Sequence, residues 1–167
     1  LLMKVAIIGG AGFVGTNLAN LLKKKKYDFN IFDIKKSFAH NKNSCIGNIC
    51  SIGDLNSITD CETLINLAAV HRDDIEPKSL YDLVNVKGSK NVCNIARKKG
   101  INKIIFTSSV AIYGFAEPNT DEEGEINYFN DYGRTKFLVE KEYLDWYNED
   151  TVNRTLIIIR PTVIFGE

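Results

Sequence analysis

A glycine-rich segment near the N-terminus constrains the fold more than any other part of the chain. An apolar run from Met3 to Ile8, interrupted only by a lysine, leads directly into the sequence GGAGFVG at residues 9 to 15. Residues 12 to 26 then follow a helical pattern with apolar side chains on one side. A buried strand that turns through closely spaced glycines into a helix predicts the first unit of a parallel α/β sheet.

The spacing of these glycines predicts a dinucleotide-binding turn. Gly9 allows a tight turn, Gly12 allows close backbone approach to a pyrophosphate, and Gly15 allows close packing of the helix on the strand. Asp33 ends the second predicted strand, where a carboxylate can accept hydrogen bonds from the adenosine ribose and would repel an added 2′-phosphate. We therefore expect NAD rather than NADP, although the lysines at 35 and 36 could partly neutralise such a phosphate.

Short apolar runs alternate with longer helical patterns along the rest of the chain. The remaining strands are predicted at Phe29–Asp33, Ser44–Ile49, Thr63–Leu67, Lys103–Thr107 and Thr155–Ile159, and two further helices at Ser79–Lys99 and Asp131–Tyr147. This order predicts a Rossmann-type α/β fold, a doubly wound parallel sheet with helices on both faces, forming one domain over residues 1–167.

Composition argues against several other classes of function. The 21 basic and 21 acidic residues balance, so neither a nucleic-acid partner nor a membrane partner is indicated, and no apolar stretch approaches the roughly 18 residues of a membrane span. Cys45, Cys50, Cys61 and Cys93 lack the spacing of a metal or disulfide site, and we predict no bound metal. Free thiols indicate a cytoplasmic location.

Tyr132 and Lys136 form a candidate catalytic pair on the last predicted helix. Residues four apart on a helix lie one turn apart on the same face. An ammonium group near a phenol favours the phenolate, so we expect the pKa of Tyr132 to fall below its ordinary value of about 10. The spacing alone also fits an ordinary surface pair, so the surrounding sequence must decide between the two interpretations.

Six motifs follow one another along the chain in a recognisable order. They are the glycine segment, Leu67-Ala68-Ala69, Asn85-Val86-Lys87-Gly88, Thr107-Ser108-Ser109-Val110-Ala111-Ile112-Tyr113-Gly114, the Tyr132/Lys136 pair and Arg160-Pro161. As an ordered set they resemble the extended short-chain dehydrogenase/reductases, and within them the NAD-dependent nucleotide-sugar epimerase/dehydratase family of the UDP-glucose 4-epimerase type.

The resemblance implies a role for each matching residue. Ser109 would hydrogen-bond the reacting oxygen, Tyr132 would act as general acid/base, and Lys136 would lower the tyrosine pKa and hold the nicotinamide ribose. The implied cofactor is NAD, and its implied contacts are Gly9, Gly12, Phe13, Val14, Gly15, Asp33, Ile34, Asn48, Ile49, Leu67, Ala68, Ala69, His71, Asn85, Thr107, Tyr132, Lys136 and Pro161. A role as an ordinary loop histidine fits His71 equally well.

The chain departs from the family pattern at two places. An Asp-Ile or Asp-Leu pair normally reaches the adenine after the third strand, whereas the best match here is Asn48-Ile49, with Asp54-Leu55 as an alternative register. The dehydratase branch carries an Asp-Glu pair just after the catalytic hydroxyl, where this chain has Val110 and Ala111. Neither of these side chains can transfer a proton, so dehydration is disfavoured.

The resemblance therefore implies the N-terminal, NAD-binding part of a nucleotide-sugar epimerase that inverts carbon 4 of a UDP-sugar through a transient ketone. Family members continue into a smaller substrate domain that this sequence lacks, so we expect the isolated chain to bind cofactor without turnover. An NAD(P)H-dependent nucleotide-sugar reductase and a non-catalytic dinucleotide-binding regulator are the alternatives.

The family also implies a homodimer formed through two helices. The corresponding segments here are residues 79–99 and 131–147. The second segment carries Phe137, Tyr143, Leu144, Trp146 and Tyr147. Because some of these side chains must face the chain's own core, only the remainder would be free to form the interface.

Overall fold

A computed structural model describes residues 4–72 and 74–166 as six parallel strands and their connections. The predicted start of the first strand at Met3 lies outside the described residues. The strands are β1 Lys4–Ile8, β2 Asp28–Asp33, β3 Ser44–Ile46, β4 Thr63–Asn66, β5 Lys103–Thr107 and β6 Thr155–Ile159. Their order in the sheet is β3-β2-β1-β4-β5-β6, so the chain reverses its direction of winding between β1 and β4. The predicted doubly wound parallel sheet is confirmed.

Among the described residues, four α-helices connect these strands. They are α1 Phe13–Lys24, α2 Ile52–Leu55, α3 Gly88–Lys99 and α4 Asp131–Asn148. The predicted long helix before Gly100 is α-helical only in its second half, because residues Tyr81–Lys87 form wider π-helical turns. Gly100 ends α3 in the left-handed conformation, with φ of +66°. The short helix α2 and two 3₁₀ turns, Asn41–Asn43 and Val110–Tyr113, were not predicted.

Alternate side chains of the central strands β1, β2 and β4 enter different cores on the two faces of the sheet. Ala6 and Ile8 of β1 face the larger core, where α3 and α4 contribute side chains that include Val92 and Trp146. The intervening β1 residues, together with Ile31, face a smaller core under α1. Helices therefore cover both faces. Across residues 4–72 and 74–166, none of the helices combines the length and apolarity required to cross a membrane.

Candidate active site

A cavity of about 670 Å³ runs along the carboxyl ends of the strands. The last residues of β1, β2 and β5 all line it, as expected for a ligand cleft at the reversal point of a doubly wound sheet. Its volume lies in the ordinary range for small-molecule and cofactor sites. The predicted site residues that line it are Gly9, Gly12, Phe13, Val14, Gly15, Asp33, Ile34, Asn48, Ile49, Leu67, Ala68, Ala69, His71, Thr107, Ser109, Tyr132, Lys136 and Pro161.

The glycine turn at the centre of this cleft has the geometry that its spacing predicts. Gly9 has a φ of +76°, and a Cβ atom there would lie 2.5 Å from the backbone nitrogen of Ala68. A Cβ atom on Gly15 would lie 2.4 Å from the Cα atom of Gly10, so helix and turn meet at backbone contact. Gly12 is the N-cap residue directly before α1. Within the described residues, no side chain caps the start of this helix, and its first turn contains no acidic residue. Free N–H groups and the positive end of the helix dipole therefore fit a pyrophosphate.

Asp33 connects the glycine turn to the end of β2. Its Oδ2 accepts a hydrogen bond from the backbone N–H of Ala11 at 2.9 Å, and its Oδ1 accepts one from the N–H of Lys35 at 3.1 Å. Each carboxylate oxygen has a further lone pair, so the side chain can still accept from a ribose hydroxyl. The carboxylate thus fixes the turn and presents negative charge to the cleft.

Beyond β3 the structure decides between the two registers left open by the sequence. Asn48 and Ile49 line the cleft. Asp54 instead accepts hydrogen bonds from the backbone N–H of Asn48 and from the Ser51 hydroxyl, both at 2.9 Å, and Leu55 is completely buried in the core. The segment containing Asn48 and Ile49 is therefore the one that reaches the cleft.

At the other end of the cleft, the structure brings Ser109, Tyr132 and Lys136 together. The Ser109 hydroxyl accepts a hydrogen bond from the N–H of Ala111 at 3.1 Å and also hydrogen-bonds the Tyr132 side chain. Lys136 is only 3% exposed, and its Nζ donates to the carbonyl oxygen of Thr107 at 2.6 Å. This Nζ lies 5.6 Å from the centre of the Tyr132 ring. The three predicted catalytic side chains thus share one corner of the cleft.

The protonation behaviour of the pair differs from the prediction. Burial raises the pKa of Tyr132, and the hydrogen bond with Ser109 offsets this only in part. The expected lowering by Lys136 is absent, because burial lowers the pKa of that lysine to about 7 while nearby Glu140 opposes the change. A lysine that is only partly charged at neutral pH provides little stabilisation of a phenolate.

A buried ion pair supports this corner from behind. Glu140 is 2% exposed and lies one turn beyond Lys136 on α4, where it accepts two hydrogen bonds from Arg160, at 3.0 and 2.7 Å. The same guanidinium donates to the Tyr113 hydroxyl at 2.6 Å and to the carbonyl oxygen of Glu122 at 2.7 Å. Arg160 therefore connects α4, the end of β6 and the turn that follows Ser109.

Comparison with known proteins identifies the family. The sequence model of the "NAD dependent epimerase/dehydratase family" matches residues 5–167. The chain belongs to this family. It is 44% identical to the N-acetyl-alpha-D-glucosaminyl-diphospho-ditrans,octacis-undecaprenol 4-epimerase of Escherichia coli O157:H7, across 98% of this chain and 49% of that protein. It is 29% identical to the UDP-glucose 4-epimerase of Vibrio cholerae, across 97% of this chain and 52% of that protein.

A solved structure agrees with this assignment. The UDP-glucose 4-epimerase of Brucella ovis in complex with NAD superimposes with a TM-score of 0.85 at 25% identity, over 95% of this chain and 51% of that one. The chain thus spans about half the length of the curated relatives that it matches. The family predicted from the sequence is confirmed, and so is NAD as the cofactor of this family.

In this member of the epimerase/dehydratase family, one predicted cofactor contact has a different position. The structure describes all of the predicted site residues. Among them, only Asn85, which is 3% exposed, does not line the cleft. Its side-chain amide exchanges hydrogen bonds with the backbone N–H and carbonyl of Val70 at 2.8 and 3.0 Å, and donates to the Thr135 hydroxyl at 2.9 Å. Asn85 therefore lies behind the cleft wall and joins the loop after β4 to α4.

Sequence reasoning also missed several residues. The cleft-lining residues that were not predicted are Ile8, Phe32, Gly47, Val70, Val84, Ser108, Thr162 and Ile164. Glu140 could have been found, because it repeats the spacing of Tyr132 and Lys136 along α4, and an acidic residue on a buried helix face signals a buried partner. The described residues contain no group of three or more His, Cys, Asp or Glu side chains that could hold a metal ion.

Proposed function

We propose that this chain is the NAD-binding part of an epimerase that inverts carbon 4 of a diphosphate-linked sugar. The observation that carries the proposal is the position of Ser109, Tyr132 and Lys136 in the same cleft as the glycine turn and Asp33. The names of the E. coli and V. cholerae relatives share carbon-4 inversion, on a sugar carried by diphospho-undecaprenol in the first and by UDP in the second. This shared chemistry supports a diphosphate-linked sugar, with a UDP-sugar as one form of it.

The residues of the cleft fit NAD in a defined direction. The uncapped start of α1 would hold the pyrophosphate, Asp33 would hold the adenosine ribose, and the residues beyond β3 would hold the base. The nicotinamide would then lie at the β4–β6 side of the cleft, beside Tyr132. When bound there, NAD would accept the hydride of the sugar carbon and return it to the opposite face.

The chain's own side chains would transfer and hold the proton. Tyr132 would take the proton of the sugar hydroxyl and later give it back, while the Ser109 hydroxyl would hydrogen-bond the same oxygen. Because burial raises the pKa of Tyr132, a positive charge in the cleft is needed to favour its phenolate. Lys136 contributes to that charge only in its protonated form, and it would also hold the nicotinamide ribose.

Tyr132→Phe in the full-length protein tests this proposal. We expect epimerase turnover to fall by roughly a thousandfold, because the acid/base hydroxyl is removed, and NAD affinity to change by less than about fivefold. Tyr147→Phe, on the same helix but outside the cleft lining, is the matched control and should retain activity. Near-normal turnover of Tyr132→Phe would contradict the proposal, and stoichiometric consumption of NADPH by the wild type would instead indicate a reductase.

A homodimer through α3, α4 and the π-helical turns is a further proposal. Tyr143 and Trp146 are completely buried in the chain's own core and cannot contribute to an interface. Leu83 and Leu144 are 40% and 42% exposed and are the apolar side chains that support pairing. Sedimentation equilibrium of the full-length protein should show a dimer, and a monomer at high concentration would contradict it.

The cysteines are free thiols, which supports the proposal of a cytoplasmic location.

A further inference from the structure

The segment after β3 lines the end of the cleft that lies away from Tyr132. The strand order places β2 and β3 on one side of β1, and the residues at their carboxyl ends, Asp33 and Asn48, both line the cleft. Tyr132 and Ser109 lie on the opposite side, beside β5. A dinucleotide whose pyrophosphate occupies the start of α1 therefore has its base beside Asn48 and Ile49.

Hydrogen bonding fixes the orientation of the Asn48 amide. Its Oδ1 accepts a hydrogen bond from the backbone N–H of Cys50 at 2.9 Å. The N–H of Cys50 can only donate, so a flipped amide would place two donors against each other. The Nδ2 group therefore points away from the N–H of Cys50. The Asn48 side chain is exposed, and no described residue accepts a hydrogen bond from Nδ2.

The backbone on both sides of this amide is also held in place. The N–H of Asn48 donates to Asp54 at 2.9 Å, and Asn91 of α3 donates to the carbonyl oxygens of Ile49 and Cys50, both at 3.1 Å. Ile49 is 5% exposed and packs over Gly88, where a Cβ atom would lie 2.9 Å from the isoleucine side chain. Rotation of the Asn48 amide would therefore break its hydrogen bond with the N–H of Cys50, and the backbone is held too firmly to move and restore that bond.

We propose that Asn48 presents a hydrogen-bond donor to the purine base of the bound dinucleotide, so that this site selects the 6-amino group of adenine only weakly. The inference rests on the proposed binding of NAD. Adenine carries donor hydrogens on its 6-amino group and an acceptor at N1, whereas hypoxanthine carries an acceptor oxygen at position 6 and a donor hydrogen on N1. The Nδ2 group can donate to that oxygen or to a ring nitrogen, but it cannot accept from the amino group.

A carboxylate at position 48 would reverse this preference. In Asn48→Asp, one oxygen can keep the hydrogen bond from the N–H of Cys50, and the second oxygen becomes an acceptor where Nδ2 was a donor. Where it faces position 6 of the base, that oxygen can accept from the adenine amino group and repels the oxygen of hypoxanthine. The substitution changes few atoms, so it tests the direction of one hydrogen bond rather than the shape of the site.

The experiment measures dissociation constants for NAD and for nicotinamide hypoxanthine dinucleotide by isothermal titration calorimetry. The proteins are the wild type, Asn48→Asp and Asn94→Asp. Asn94 lies on α3 outside the cleft lining, and its Oδ1 accepts from Arg97, so its acidic variant is a matched control for the added charge. We expect the preference for NAD over the hypoxanthine analogue to be at least about tenfold larger in Asn48→Asp than in the wild type and unchanged in Asn94→Asp.

The outcomes separate this inference from the function on which it rests. If the wild type binds NAD and the preference is the same in Asn48→Asp within about twofold, the inference is wrong and the proposed function stands. If the preference for NAD over the hypoxanthine analogue increased equally in Asn48→Asp and Asn94→Asp, the inference would also be overturned, because the increase would reflect net charge alone. If the wild type binds neither dinucleotide, the proposed NAD site fails, and the inference fails with it.

Discussion

The two ends of the cleft are built by different means. At the adenosine end, short polar side chains accept hydrogen bonds from backbone N–H groups: Asp33 accepts from Ala11, and Asn48 accepts from Cys50. At the catalytic end, Lys136 and Glu140 are almost completely buried, and Glu140 pairs with Arg160, a residue of a different element. The first end therefore depends on backbone geometry, and the second depends on the balance of buried charges.

The largest effect is expected from breaking the buried pair at the catalytic end. Glu140→Gln leaves the Arg160 guanidinium without a carboxylate, which should lower the free energy of unfolding by about 3 kcal/mol or more. Glu149→Gln is the control, because that carboxylate forms ion pairs with Arg97 and Arg154 at the surface. It should change stability by less than about 1 kcal/mol in urea unfolding. Equal effects of the two variants would contradict the distinction drawn between the ends.

A somewhat smaller effect is expected from adding a methyl group at the glycine turn. Gly15→Ala places a Cβ atom 2.4 Å from the backbone of Gly10, and we expect a loss of about 2 to 3 kcal/mol together with weaker NAD binding. Gly12→Ala meets its nearest atom only at 3.7 Å, so its stability should fall by about 1 kcal/mol or less. Thermal unfolding and NAD titration measure both. Stability of Gly15→Ala equal to that of the wild type would show that the turn is not tightly packed.

The smallest of these effects is a change of stability with pH. Lys136 has a folded pKa of about 7 and an ordinary pKa near 10.5, so above pH 7 the unfolded chain binds more protons and the free energy of unfolding rises with pH. Between pH 7 and 8.5 this group should contribute an increase of about 1 to 2 kcal/mol. The increase should disappear in Lys136→Met and persist in Lys141→Met, the exposed control on α4.

The upper limit of that pH range follows from two thiols. Burial raises the pKa of Cys61 to about 11 and that of Cys93 to about 12, so above pH 9 the folded chain keeps protons that the unfolded chain loses. Those groups lower stability as pH rises and would mask the lysine. Identical pH profiles of the wild type and Lys136→Met between pH 7 and 8.5 would mean that the lysine is not desolvated.

Features that depend on local sequence were predicted well. The strand–glycine–helix unit near the N-terminus and the succession of strands and helices along the chain follow from apolar patterns and glycine spacing, and the structure confirms them from Lys4 onward. The π-helical turns at Tyr81–Lys87 were not predicted, because hydrophobic periodicity over seven residues does not distinguish them from an α-helix.

Two features that depend on burial and long-range contacts were not predicted correctly. Asn85 was assigned to the cofactor, but its amide bonds Val70 and Thr135, and only the packing of the loop after β4 on α4 shows this. The direction of the Tyr132 pKa change was also predicted wrongly for the chain without cofactor, because burial of Tyr132 itself raises this pKa and burial of Lys136 lowers the lysine pKa, and residue spacing carries no information about burial.

The most direct test of the proposed catalytic end is the pKa of Tyr132 with and without NAD⁺. NMR titration of the protein labelled with ¹³C at the tyrosine ring ζ-carbon, with Tyr132→Phe to assign the signal, would measure it. The pKa should lie above its ordinary value in the free protein, because burial raises it, and should fall at saturating NAD⁺, because the nicotinamide ring brings a positive charge. A Tyr132 signal that titrates identically with and without bound NAD⁺ would contradict the assignment of this tyrosine as the proton-transfer group.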